Sequence, residues 1–171
     1  MATDFVLYEN IVPLVAPIDG TTTTPINGGY LDLQSANKAS ILVYFGVVTS
    51  STATDTLTLT LEASTASTSN ATEEAVPFSY RVSDTAAGGN TWGAITDATS
   101  DGFSMGASTV FDGFAVLVEI DPAAITAKKP DARWVRAVLT ESAAYSVLLY
   151  TMIGFIKPRY KQTTMIVGSV T

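Results

Sequence analysis

Apolar and polar positions along the chain repeat with a period of two. The clearest stretch is Thr56-Leu57-Thr58-Leu59-Thr60-Leu61-Glu62. Leucine alternates there with a polar residue for three periods, as in a strand with one face in a core. Residues 40–48 (SILVYFGVV) are nearly all apolar and β-branched or aromatic. They predict a central strand buried on both faces, with Gly46 as a bulge. Residues 76–83 alternate after Pro77, and residues 113–120 (GFAVLVEI) predict another buried strand. Residues 133–140 place Trp134, Arg136, Val138 and Thr140 on one side and Val135, Ala137 and Leu139 on the other. The apolar run 145–156 completes six strong strands, with weaker ones expected at 5–8, 29–33, 91–95 and 163–167.

Turn chemistry separates these runs. Pro13, Pro17, Pro25 and Pro130 fix φ, while Asp19-Gly20, Asn27-Gly28-Gly29, Gly88-Gly89-Asn90, Asp101-Gly102 and Asp112-Gly113 supply positive φ where the chain reverses. One short helix is expected at 121–125, with Asp121 as the cap and Pro122 at the first helical position. Many short strands with turns at this density predict an all-β fold, an antiparallel β-sandwich of jelly-roll or immunoglobulin-like type with extended terminal arms. The expected division is an N-terminal arm and first strand over 1–28, a sandwich body over 29–156, and a basic and apolar C-terminal tail over 157–171.

Composition sharpens this picture. Among 171 residues, 25 threonines favour pleated surfaces, while Lys, Glu, Gln and Leu are too sparse for long amphipathic helices. The chain has no histidine and no cysteine. That excludes imidazole bases, Ser-His-Asp and Cys-His nucleophiles, thiolate or histidine metal sites, and disulfides. No metal and no cofactor is expected. Residues 1–127 carry Lys38 and Arg81 against 14 acidic residues (2 − 14 = −12), and residues 128–171 carry 7 basic against 2 acidic (7 − 2 = +5), giving the overall −7. A net-negative body repels nucleic-acid phosphates, so no nucleic-acid partner is expected. The 12-residue apolar run 145–156 falls short of the roughly 20 residues of a membrane helix, and no membrane partner is expected. Met1-Ala-Thr-Asp-Phe has neither a basic nor a long apolar export region, which predicts synthesis in a cytoplasm.

Candidate chemistry is thin. Ser35-Ala36-Asn37-Lys38 spells S-x-x-K, but that pair needs a helix start and here it precedes a predicted strand. Carboxylate pairs for glycoside hydrolysis would be Glu73 with Glu74, or Asp97 with Asp101, all in loop-like sequence. Trp92 after a glycine pair is a candidate binding-loop residue, and Trp134 is expected in a core or interface. No catalytic residue is assigned, and no enzyme activity is expected.

The last third of the chain runs Phe114-AVLVEID, Pro122-AAIT, Arg133-WVRAVLTES and Ser146-VLLYTMIGFIKPRY, ending at Tyr160. Over roughly 47 of 171 residues this pattern resembles structural proteins of tailed-bacteriophage virions, of the capsid decoration or cement kind. The resemblance implies a β-rich body present in many copies on the capsid surface, without catalytic residues, fastening the major capsid protein lattice. Neighbouring copies, as in a homo-oligomer such as a trimer, are the other expected partner. A head–tail connector, a tail protein and a carbohydrate- or receptor-binding module remain alternatives. The expected partner-binding residues are Phe5, Leu7, Tyr8, Ile11 and Val12 as apolar anchors, with Lys157, Arg159, Tyr160 and Lys161 as an electrostatic clamp.

Overall fold

A computed structural model describes residues 10–20, 25–50, 54–68, 72–84, 91–105, 111–143 and 145–160. Among the described residues twelve strands and one helix follow in order: β1 (Asn10–Asp19), β2 (Ile26–Asn27), β3 (Leu31–Asp32), β4 (Ala36–Ser50), β5 (Leu57–Ser64), β6 (Glu74–Val76), β7 (Phe78–Val82), β8 (Thr96–Ala98), β9 (Phe103–Met105), β10 (Ala115–Ile120), α1 (Pro122–Lys128), β11 (Trp134–Glu141) and β12 (Tyr145–Pro158). They form two antiparallel sheets. The first has the order β1-β12-β4-β10-β7-β8; the second runs β2-β11-β5-β6, with β3 also on β11 and β9 also on β5.

The pairings β1 with β12, β2 and β3 with β11, β4 with β10, and β5 with β6 are those of one long hairpin rolled across two layers. This is the jelly-roll alternative of the expected sandwich. Pro77 marks where the chain changes layer. Val76 still pairs with Leu61 of the second sheet, and Phe78 pairs with Ala98 of the first. Proline has no N–H to continue either ladder. The bulge expected at Gly46 is present: Leu148 opposes Val48 and Tyr150 opposes Phe45, so β4 holds one more residue than β12 there.

The core lies between the layers. Ile41, Val43 and Phe45 of β4, Val116 and Val118 of β10 and Met152 of β12 meet Leu59 and Leu61 of β5 and Val135, Ala137 and Leu139 of β11. The flank between β7 and β9 is closed by aromatics: Tyr80 stacks on Phe103 at 4.1 Å, and Phe111 makes edge contacts with Phe45, Phe103 and Phe114. The helix begins as its sequence predicts, with the Ala123 N–H donating to Asp121 Oδ1 at 2.9 Å and Pro122 opening the first turn. Gly102 and Gly113 both take positive φ, in the turns that Asp101-Gly102 and Asp112-Gly113 predict, whereas Gly20, Gly28 and Gly29 do not take the positive φ expected of them.

Three expectations need correction. Residues 10–19, expected within an extended arm, are an edge strand along β12. Pro13 and Pro17 fit that edge because they need not donate to a further neighbour. Residues 91–95 form only a single bridge, Trp92 to Ser83, and the strand comes just after, at β8. The expected strands 40–48 and 113–120 are buried on one face only: in β4 and β10 inward positions are buried, while outward ones are half-buried or exposed. A two-layer sandwich leaves each sheet one outer face, however apolar its residues. The weak strands expected at 5–8 and 163–167 lie outside the described residues.

Candidate interaction surface

The outer face of the first sheet follows from its register. Counting across β1, β12, β4, β10, β7 and β8, one row of neighbours is Ile11, Phe155, Ser40, Glu119, Ser79 and Asp97. The next is Pro13, Ile153, Leu42, Leu117 and Arg81. Beyond it Thr151, Tyr44 and Ala115 align, and past the bulge Leu149 and Val47 remain exposed. Tyr44 is 41% and Val47 51% exposed. Of these, Ile11, Pro13, Phe155, Ile153, Leu42, Tyr44, Val47, Leu149 and Leu117 make an apolar strip across β1, β12, β4 and β10, half-buried to exposed.

One end of this face is charged. Lys157 of β12 stands directly opposite Lys38 of β4, and neither makes an ion pair with a described residue. Like charges directly opposite disfavour the pairing by a few tenths of a kcal/mol or more. Asp121 follows β10 on the other side of Lys38, while Asp97 and the Glu119–Arg81 ion pair (2.8 Å) occupy the far side of the sheet. A groove of about 1090 Å³ runs along this end, lined among others by Lys38, Lys157, Phe155, Asp97, Glu119 and Asp121. The face is therefore cationic at β12 and β4, apolar in the middle, and anionic toward β8.

The sequence-predicted residues distribute unevenly over this surface. Ile11 is exposed (45%) and stands opposite Phe155, at the edge of the patch. Val12 is 3% exposed and packs in the core, because alternation turns it inward; it anchors the sandwich, not a partner. Lys157 is on the face, and Arg159 follows it with its backbone N–H donating to Ser35 O and its Nε donating to Ala36 O at 3.1 Å. Tyr160 is 78% exposed. Phe5, Leu7, Tyr8 and Lys161 lie outside the described residues. Since Asn10 opposes Ile156, β1 begins at the same end of the sheet where β12 finishes.

Three of the seven basic residues of 128–171 are held by acids of this chain. Arg133 grips Asp32 with two bonds (3.0 and 2.6 Å), Lys129 pairs with Glu74 at 3.5 Å, and Arg136 is buried between Glu62 (2.8 Å) and Glu73 (2.7 Å). The Tyr30 hydroxyl also donates to Glu73, and its ring lies 5.1 Å from the Arg136 guanidinium. Burial, then the bond to Glu73, pushes the Tyr30 hydroxyl up to about 12. Glu73 and Glu74 thus serve different ion pairs, Glu73 with Arg136 and Glu74 with Lys129. Asp97 accepts from Ser79 Oγ at 2.7 Å and borders the groove, whereas Asp101 bonds Thr99 within its own turn and is not part of that lining. Ser35 lies in a turn and Lys38 on a strand, so the S-x-x-K geometry is missing. Trp92 is 40% exposed, and Trp134 is half-buried beneath Arg133 (4.9 Å). Gly88-Gly89-Asn90 lies outside the described residues.

Among the described residues no three Asp or Glu side chains converge as metal ligands, and no helix is long and apolar enough to cross a membrane. Sequence reading missed Lys38, Leu42, Tyr44, Leu117, Ile153 and Phe155 as surface residues. A usable signal was present: two neighbouring strands apolar on both faces, once placed in a two-layer sandwich, must show one apolar face to something else. Comparisons with protein-family models, with curated proteins and with solved structures each give no match.

Proposed function

We propose that this chain is a non-enzymatic virion structural protein of the capsid decoration or cement kind, made in the host cytoplasm and fastened to the major capsid protein lattice. The observation that carries the reading is the shared end of the first sheet. Asn10, where β1 begins, and Lys157, Arg159 and Tyr160, where β12 finishes, sit together beside Lys38. An apolar N-terminal segment (Phe5, Leu7, Tyr8) and a cationic clamp would thus leave from one docking end. The rigid jelly roll behind it acts as the body, and repetition over a lattice multiplies a modest single-site affinity.

The test is co-sedimentation with undecorated heads assembled from the major capsid protein encoded in the same genome. Deleting residues 1–9, which stops short of the Asn10 pairing, should leave a folded domain that no longer binds. Lys157→Glu with Arg159→Glu should also abolish binding, and added salt should weaken it in the wild type. Full binding by both variants, or no binding by the intact chain, overturns the reading. A glycan-binding reading draws on Trp92, whose exposed ring could serve as a sugar platform. Glycan-array binding lost in Trp92→Ala would favour it over the first.

A further inference from the structure

We infer that the groove at the end of the first sheet seats an extended polypeptide segment of the partner, laid across the strands. Its acidic and basic side chains stand six residues apart, with apolar ones between. The ligand chemistry follows from the groove's own lining; only the capsid subunit as its source rests on the reading above.

Register fixes the charges of the groove. Lys157 of β12 and Lys38 of β4 stand in one row, and Asp121 follows β10 abreast of them. The next row on the same face is Phe155, Ser40, Glu119, Ser79 and Asp97. Several of these charges are answered locally. Glu119 holds Arg81, while Asp121 caps α1 through the Ala123 N–H and partly offsets Lys38 beside it. What remains is Lys157 at one end and, at the other, Asp97, which accepts from the neutral hydroxyl of Ser79. Between those ends the lining includes Leu117, Pro77, Phe78 and Ile125, all apolar.

Distance selects the occupant. Four inter-strand spacings of about 4.8 Å separate β12 from β8, and Asp97 is offset from Lys157 by one row, two residue steps of about 3.3 Å. The two charges therefore stand roughly 20 Å apart across the sheet. Six residue steps of an extended chain cover that span, and an even number of steps puts both charged side chains and two apolar ones on the same face of the segment. A nucleic-acid strand fits poorly, because its phosphates would lie against Asp97 and Asp121. The volume of about 1090 Å³ is at the upper end of ligand clefts, room for a run of side chains.

The experiment is fluorescence anisotropy of dye-labelled Glu-Ser-Leu-Ser-Leu-Ser-Lys with the full chain. Its isomer Glu-Ser-Lys-Ser-Leu-Ser-Leu, with charges two residues apart, is the comparison. The first peptide should bind saturably and about five-fold tighter than the isomer, the worth of one exposed ion pair. Lys157→Glu and Asp97→Lys, both at exposed positions, should each weaken binding by about five-fold or more. The double variant Lys157→Glu/Asp97→Lys should restore it, because the inverted groove takes the same segment in the opposite direction. Ser40→Phe fills the floor beside Phe155 and should weaken binding with an unchanged circular dichroism spectrum; Thr140→Glu, exposed on the other sheet, should change nothing. No binding of the first peptide up to about 1 mM, equal binding of the isomer, or no recovery in the double variant overturns the inference. The expected peptide pattern in a chain that binds no heads leaves it standing and removes the capsid reading; head binding without peptide binding does the reverse.

Discussion

Arg136→Met should be among the most destabilising single substitutions in the second sheet. Arg136 is 5% exposed and holds Glu62 and Glu73 at once, under the ring of Tyr30. Methionine keeps the hydrophobic stem and removes the charge, leaving two neighbouring carboxylates without a counter-ion. Breaking a buried ion pair by removing one partner costs about 3–5 kcal/mol. Glu62 retains a quarter of its exposure and can rehydrate in part, which places the expected loss near the lower end, about 3 kcal/mol. With a urea slope of about 2 kcal/mol/M for a domain of this size, the midpoint falls by about 1.5 M. The companion variant Arg136→Met/Glu62→Gln/Glu73→Gln removes all three charges and should recover most of that loss. Because the cluster is shielded from solvent, raising salt from 0.15 to 1 M should change the Arg136→Met penalty little. A loss below about 1 kcal/mol, or no recovery in the triple variant, would refute the buried-network account.

Other expectations concern packing and pH. A Cβ on Gly154, an inward position of β12, would collide with the fully buried Leu31 of the opposite sheet. Gly154→Ala should therefore cost about 1–3 kcal/mol by thermal melting, with partial rescue by Leu31→Val, and an unchanged melting temperature would contradict that contact. The Tyr145 hydroxyl is buried with no hydrogen-bond partner among the described residues, so Tyr145→Phe should be neutral or stabilising by about 1 kcal/mol in urea titration; a clear loss would reveal a hidden partner. Burial first, then Asp55 and Glu141, pushes the Tyr145 hydroxyl up to about 12, as Tyr30 is pushed. These raised values favour the protonated folded form, so their stabilisation is complete below about pH 10 and is lost as pH rises through about 12. Urea midpoints across pH 9–12 should show that decline, shallower in Tyr145→Phe. Gly102, at φ 90° with a Cβ position 2.5 Å from Leu59 O, should lose at least about 1 kcal/mol as Ala, checked by the same melts.

Much of the fold was legible because its signals are local. The leucine alternation of β5, the Asp-Gly turns, the Asp121 cap and the Gly46 bulge each depend on a few adjacent residues. β1 was less legible: two prolines and no alternation make residues 10–19 look like an arm, and only the long β12 beside them supplies the hydrogen bonds that make them a strand. β9 is similarly a strand by virtue of β5. Of the candidate surface, Lys157, Arg159 and Tyr160 could be read from their closeness in the chain. Lys38 could not, since it reaches Lys157 only through the pairing of β4 with β12.

Pattern and composition by themselves determined that this is a β-built body without thiol or imidazole chemistry, since period-two hydrophobicity and residue inventory are properties of the chain at any conformation. Only the tertiary structure decided which basic residues are spent internally on acids and which face outward, and which side of each apolar strand meets solvent. Those outcomes depend on strand register and on the number of layers, where a shift of one residue exchanges inside for outside, and no local stretch of sequence encodes that choice alone.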